Sequence, residues 1–191
     1  MIPKIDTIEP HSPLLTEYLT EIKRLSTELS VLDLACGSGR NGLYLVSNDI
    51  PVTFADINKT SLQKIAETSV NSLPVIKTEL AKLWQVDFED EDDSPLVDKC
   101  FAAVIVYRYL HRPLFEKIKT SIQPGGLVIY ETFTTKQPQF GRPKNPNFLL
   151  QHDELLQQFS DWEVLHYFED VVSKGDELGS QAIAQIVARK P

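Results

Sequence analysis

The sequence predicts an α/β domain: a doubly wound, seven-stranded sheet, mainly parallel, with an antiparallel final strand. Two observations carry this. Short apolar runs alternate with stretches of helical spacing almost throughout, as in parallel strands joined by crossover helices. The last two runs have no helix between them, so they form a hairpin that reverses the final strand. The chain has 191 residues, 42% of them hydrophobic, enough for one core in one domain spanning 1–191.

The elements follow in order. Ser12-Pro13 reads as an N-cap followed by proline at the first helical position. Leu15, Tyr18, Leu19, Ile22, Leu25 and Leu29 then recur at helical spacing, making residues 1–29 a helical lead-in. Val31–Ala35 is a buried strand, the glycines at 37, 39 and 42 interrupt, and Leu43, Leu45 and Val46 continue as a helix. Val52–Ala55 is the second strand, ending at Asp56, and Leu62, Ile65, Ala66 and Val70 mark the next helix. Lys82–Val86 is the third strand, ending at Asp87, before a solvated acidic loop over Glu89–Asp93. Phe101–Val106 is the fourth strand, and Leu114, Phe115, Ile118 and Ile122 form a helical stripe behind Pro113. Pro124-Gly125-Gly126 is a turn before the strand Leu127–Tyr130. Residues 134–147, rich in Pro, Gly and polar side chains, form a long loop, a candidate substrate wall or lid. A short helix over 151–159 and strands around 163–168 and 182–188 close the chain; Trp162, Tyr167 and Phe168 read as core.

Composition excludes several classes. Cys36 and Cys100 show no metal-ligand spacing and no disulfide framework, so neither a metal nor an oxidising compartment is expected. The first ten residues lack the apolar stretch of a signal peptide or anchor, and no window is apolar enough to span a bilayer; a cytoplasmic protein is expected. The net charge of -8 is a poor match to phosphate backbones. A local basic patch would have to be built from Arg108, Arg112, Arg142 and Lys144.

The strongest functional signal is the strand–turn–helix over Val31–Gly42. Gly37, Gly39 and Gly42 spell G-x-G-x-x-G, a weak signature alone, in which glycine lets the chain turn and a ligand approach the backbone. The helix that follows offers free N–H groups to a carboxylate or phosphate. Asp33 decides between ligands. A carboxylate buried at a strand end is costly without a partner. It suits the amino and sulfonium cations of S-adenosylmethionine (SAM) and not a pyrophosphate. Asp87 supplies a second acid where an adenine amino group can be held, and the closing hairpin also favours a SAM-binding sheet over a dinucleotide fold. Asp56 can accept from ribose hydroxyls with either ligand.

These residues resemble motif I of class I SAM-dependent methyltransferases, a Rossmann-like superfamily. Asp56 and Asp87 fall where it places its ribose- and adenine-binding acids, and Pro124-Gly125-Gly126 where it places the turn before the fifth strand. A narrower resemblance is to the tellurite-resistance, TehB-like branch. It rests on the G-R-N-x-x-Y-L run at Gly39–Leu45, the His11-Ser12 entry to the first helix, Glu154-Leu155 before Trp162-Glu163, and Ala188-Arg189-Lys190. Val171–Gly179 departs from that branch. The resemblance implies methyl transfer from SAM.

The cofactor-binding set is then Asp33, Ala35, Gly37, Gly39, Arg40, Asn41, Asp56, Ile57, Asp87, Phe88 and Tyr107. Arg40 is a candidate to pair with the SAM carboxylate, and Asn41 to bond backbone or cofactor. His11 and Ser12 either close over the methionine end of SAM or cap a helix. Cys36 is a packing residue, since nothing near it in sequence would lower its pKa. Tyr107 and His111 follow the fourth strand, where strand ends face the ligand crevice. His111 is the candidate general base, with Tyr107 beside it, against the plain reading of a helix-end histidine. Arg108, Glu131, Phe133 and Arg142 are the candidate substrate contacts. The chain lacks the Asn/Asp-Pro-Pro-Tyr/Phe signature of amino-methylating DNA and protein enzymes after that strand. The sequence therefore favours a small-molecule acceptor, a soft or anionic nucleophile among the candidates, with a protein or RNA methyltransferase and a non-catalytic SAM-binding domain as alternatives. It leaves the oligomeric state open.

Overall fold

A computed structural model describes residues 10–72, 79–90, 94–173 and 179–191. Its elements run α1 (Pro13–Glu17), α2 (Leu19–Leu25), β1 (Val31–Leu34), α3 (Arg40–Ser47), β2 (Val52–Asp56), α4 (Lys59–Ser72), β3 (Ala81–Gln85), β4 (Phe101–Tyr107), α5 (Leu114–Thr120), β5 (Ile122–Phe133), α6 (Glu154–Gln158), β6 (Glu163–Ser173) and β7 (Ser180–Arg189). The described residues form a seven-stranded sheet in the order β3-β2-β1-β4-β5-β7-β6. β3, β2, β1, β4 and β5 pair in parallel, and β7 is antiparallel to both β5 and β6. The doubly wound fold with a reversed final strand is as expected from sequence.

Both faces of the sheet are covered. Along β4, Val104 and Val106 pack with Leu32, Leu34, Val128, α5, α6 and Trp162, while Ala103, Ile105 and Tyr107 pack with Val31, Phe54, Ile129 and the first four helices. That two-sided burial is why β4 reads as an unbroken apolar run. Strand order reverses between β1 and β4, so a crevice opens over their carboxyl ends, as it does in open α/β sheets generally.

Several local readings need correcting. The single first helix is two: the chain breaks at Tyr18, whose hydroxyl donates to the Leu165 carbonyl on β6, and Leu29 lies beyond α2. Ser12 has the extended backbone of an N-cap, with Pro13 next, but its hydroxyl makes no capping bond. Ile122 opens β5 instead of ending a helix. The Pro124-Gly125-Gly126 turn is an irregularity inside that strand, because Gly125 and Gly126 exchange backbone bonds with Lys190. The hairpin strands are longer than expected. β6, at the sheet edge, leaves Tyr167 and Phe168 half-buried, whereas Trp162 is core. The side chain of Val70 and residues 91–93 and 174–178 lie outside the described residues.

Candidate functional site

Two cavities open at the crevice and share one residue, Arg108. The smaller, about 450 Å³, lies over the ends of β1, β2 and β3 and is lined by Ala35, Asp56, Ile57, Asp87 and Phe88, together with Glu89 and Tyr109. The larger, about 850 Å³, lies over β4 and β5 under the N-terminal strap, and includes His11, Ser12, Arg40, Glu131, Ile183 and Gln185.

Asp33, in β1, lines neither of them. It is 2% exposed, and its Oδ2 accepts from the Gly42 N–H at 3.0 Å. A Cβ at position 42 would stand 2.7 Å from that oxygen and overlap Phe54, so glycine there serves the close packing of α3 on β1 and β2. Gly39 is likewise packed, against Ile65. Gly37 differs: with φ +53 and open space where a Cβ would stand, it bares the backbone at the crevice. Burial pushes the Asp33 carboxyl up to about 8, against the Gly42 bond and Arg40, which pull it down; Asp56 adds to the rise.

Asp56 ends β2 and ties the turn on both sides, its Oδ2 accepting from Gly37 N–H at 2.7 Å and its Oδ1 from Asn58 N–H at 2.8 Å. Each oxygen keeps a lone pair for a further donor. Asp87 Oδ1 accepts from Glu89 N–H, and the Tyr109 hydroxyl donates to Glu89 Oε1 at 3.2 Å, closing the far wall. Ile57, 60% exposed, adds an apolar surface to this cavity.

The strap over the larger cavity is held by α3. Arg40 donates to the Pro10 carbonyl, Asn41 Oδ1 accepts from Ser12 N–H at 3.0 Å, and the His11 ring stacks on Tyr44 with centroids 3.5 Å apart. Asn41 thus bonds backbone. Burial, then Arg40, lowers the pKa of His11, so the ring is neutral near pH 7. Ser12 Oγ and Tyr107 Oη are buried, on residues 4% and 8% exposed, and find no hydrogen-bond partner among the described residues. Burial raises the pKa of Tyr107, the neighbouring Ser12 hydroxyl lowers it, the Glu131 and Asp33 carboxylates raise it further and Arg40 lowers it. The phenol is therefore protonated and able to donate.

The candidate substrate residues divide. Arg108 Nη2 meets Glu131 Oε1 at 3.1 Å, and its guanidinium lies 4.5 Å from the Phe133 ring centroid. Gln185 Nε2 donates to Glu131 Oε2 at 2.6 Å. Arg108, Glu131 and Phe133 therefore come together. Arg142 and His111 do not line either cavity. Arg108 has φ +61, which turns the chain beyond β4; by His111 the backbone has become the entry to α5, where the His111 carbonyl accepts from Leu114 N–H. The 134–147 loop is no wall of these cavities either. Gln137 fastens it, donating to the Arg142 carbonyl and accepting from Ala182 N–H, and Thr134 bridges Leu150. Cys36 is as expected a packing residue, its thiol pushed up by burial.

Two of the four basic residues are held in ion pairs. Arg108 is held by Glu131, and Arg112 makes a two-pronged pair with Glu154, at 2.7 and 2.9 Å, while donating to the Asn147 and Leu149 carbonyls. We expect Arg112→Ala to cost about 1–2 kcal/mol. That loss would appear as a lowered melting temperature with unchanged affinity for site ligands. Normal stability with lost ligand binding would contradict this assignment.

Sequence reasoning missed Tyr109, Glu89, Ile183 and Gln185. The last two stand on β7, where strand periodicity reads as core; only its register against Glu131 reveals Gln185.

The fold resembles those of SAM-dependent methyltransferases and related proteins of known structure. The structure matches the glycopeptide N-methyltransferase MtfA complexed with SAM at a TM-score of 0.64, with 14% identity over 98% of this chain and 90% of that one. It matches the [4+2]-cyclase SpnF at 0.67, with 16% identity over 93% of this chain and 80% of that one. Within this class, the model of the tellurite resistance protein TehB family matches residues 9–187, and the chain belongs to that family. The probable S-adenosyl-L-methionine-dependent methyltransferase TehB of Haemophilus influenzae is 27% identical over 183 residues. That alignment takes in 90% of this chain and 61% of the relative, so the chain spans about three fifths of the relative's length. The TehB crystal structure superposes with a TM-score of 0.70, covering 92% of this chain and 62% of that one.

Proposed function

We propose that the chain is a SAM-dependent methyltransferase acting on a small molecule. The observation that carries this is the pair of cavities meeting at Arg108 over the β1–β4 switch point, one edged by strand-end acids and the other by the strap. The smaller suits a nucleoside. Asp56 offers carboxylate oxygens to ribose hydroxyls, Asp87 an acceptor to an adenine amino group, and Ile57 and Phe88 apolar surface to a base. At the junction, Asp33 supplies a counter-charge for a cation, and Arg40 one for a carboxylate. The Ser12 and Tyr107 hydroxyls are buried near one another without a well-formed hydrogen bond, and a polar ligand would satisfy both.

Bound SAM supplies a methyl group on a sulfonium, an activated leaving group for in-line displacement. The protein's work is then to align and to exclude water. The strap held by Arg40, Asn41 and Tyr44 covers the larger cavity, and Glu131 stands at its floor as the proton acceptor that His111, at the α5 entry, is not placed to be. The dispersal of Arg108 and Arg112 into ion pairs weighs against an RNA acceptor. The cysteines are free, which suits a reducing compartment such as the cytoplasm, and no helix of the described residues is long and apolar enough to cross a membrane.

The test is a thermal-shift titration with SAM, S-adenosylhomocysteine and NAD. A ligand at a hundred times its Kd stabilises the folded state by about 2.7 kcal/mol. SAM and its product are expected to raise Tm and NAD to leave it unchanged; the reverse would make the glycine turn a dinucleotide loop. Binding without turnover against any acceptor would favour a non-catalytic SAM-binding domain.

A further inference from the structure

We propose that the larger cavity takes an uncharged, largely apolar organic nucleophile bearing one O–H or N–H group, rather than an inorganic chalcogen oxyanion, and that Glu131 orients that group and receives its proton. This rests on the methyltransferase reading above.

Size and lining come first. The cavity is about 850 Å³, and its wall is predominantly carbon, with Pro10, Pro13, Val172 and Ile183 contributing. With the carboxylate end of SAM at Arg40 and Ser12, as proposed above, the acceptor meets the carbon wall of Val172 and Ile183, where a small oxyanion finds no donor. The His11 ring, stacked on Tyr44 and neutral, extends the apolar wall.

Charge is the second argument. A buried oxyanion needs cations whose charge is not already balanced. The lining holds two guanidinium groups, and both are engaged. Arg40 donates to the Pro10 carbonyl and, on the reading above, balances the carboxylate of SAM, and Arg108 pairs with Glu131 over the Phe133 ring. Two carboxylates, Glu17 and Glu131, line the same space. An entering anion meets Glu131 where it would need a positive centre.

Glu131 is the third. It is 5% exposed at the end of β5 and is held from both sides, by Arg108 and by the Gln185 amide. Gln185 is in turn held by His166 Nε2 at 3.4 Å from its carbonyl oxygen. The row Arg108–Glu131–Gln185–His166 crosses β5, β7 and β6. It fixes the carboxylate in place while leaving lone pairs on its oxygens. An O–H or N–H donor fits those lone pairs, whereas an anion without a proton does not. In the balanced step, the nucleophile's lone pair forms the bond to the methyl carbon and the carbon–sulfur bond breaks with its electrons on sulfur. The O–H or N–H proton passes to Glu131 and from there to solvent.

The test uses the full chain, with and without S-adenosylhomocysteine, titrated calorimetrically with 2-naphthol, indole, sodium tellurite and sodium selenite. The neutral aromatics are expected to bind and the oxyanions to give no heat. Ile183→Trp and, as a second cavity-filling variant, Val172→Phe are each expected to weaken 2-naphthol at least tenfold while leaving S-adenosylhomocysteine affinity unchanged. Glu131→Gln is expected to lower kcat for methylation of 2-naphthol about 10²-fold or more at unchanged product affinity. Tellurite binding in preference to 2-naphthol, or indifference of 2-naphthol to both cavity-filling variants, would overturn the substrate class. Unchanged kcat in Glu131→Gln would overturn the proton acceptor. Failure of S-adenosylhomocysteine to bind would sink the methyltransferase reading by itself. The 2-naphthol titration of the ligand-free chain still judges the cavity in that case.

Discussion

Replacing Asp33 with asparagine is expected to raise stability and weaken SAM binding at once. In the folded protein, burial lifts the Asp33 carboxyl from the ordinary 3.8 to about 8. The folded state therefore binds a proton more tightly than the unfolded state between those values. The stability this group allows is fully present below pH 4 and is lost as pH rises through about 8. Asparagine has nothing to ionise, and its oxygen can still accept from Gly42 N–H. The melting temperatures of the two proteins should therefore coincide near pH 4 and separate as pH rises toward 8, with Asp33→Asn the higher. SAM works in the opposite direction. A cation beside Asp33 favours the carboxylate, so binding at pH 7 should release close to one proton, measurable by calorimetry in buffers of different ionisation enthalpy. In Asp33→Asn the proton release should vanish and affinity should fall about tenfold or more, a loss of roughly 1.4 kcal/mol or greater. A variant that melts lower at pH 8 yet keeps its SAM affinity would show that Asp33 is purely structural.

Asp56→Ala should produce the larger loss of affinity. Its carboxylate is asked to do two things. It receives the Gly37 and Asn58 N–H groups, which shape the turn after β1 and the entry to α4, and on the reading proposed above it presents oxygens to a ribose. Each backbone bond contributes about 0.5–1.5 kcal/mol net, so the domain should fold with a Tm a few degrees lower. SAM affinity should drop about a hundredfold, near 2.7 kcal/mol, because the ribose partner and the shape of the glycine turn are lost together. Asp56→Asn, which keeps one acceptor oxygen, should recover most of the stability and only part of the affinity. Equal affinities in all three proteins would remove Asp56 from the cofactor site.

The sequence made some of this legible and concealed the rest for definite reasons. Asp33, Asp56 and Asp87 were readable because each stands at or just past the end of an apolar run, and a strand that stops there puts them at the crevice regardless of packing detail. The mainly parallel, doubly wound sheet followed from the same alternation. His111 was misplaced because the direction of the chain after β4 depends on the left-handed backbone of Arg108, a conformation that arginine does not advertise. Arg112 read as a surface cation because its partner Glu154 is 42 residues away. Ser12 read as a helix cap because its backbone is that of a cap; only the packed structure shows its hydroxyl buried and unpartnered. The 134–147 loop read as a substrate wall or lid from composition, whereas the buried Gln137 fastens it away from both cavities.

The intercalation of β7 between β5 and β6 has a consequence for how the protein assembles. β6 precedes β7 in the chain but has no contact with the rest of the sheet except through it. The two strands therefore have to zip together as a local ribbon, at low cost in loop closure, and then dock onto β5 as one piece. That docking delivers Ile183 and Gln185 to Glu131, while the turn of Gly37, Asp56 and Asp87 belongs to the opposite half of the sheet and is complete without it. The two halves of the crevice thus mature on separate clocks. Hydrogen exchange should find the β5–β7 amides opening together, as a unit of their own, while the β1–β2 amides stay protected.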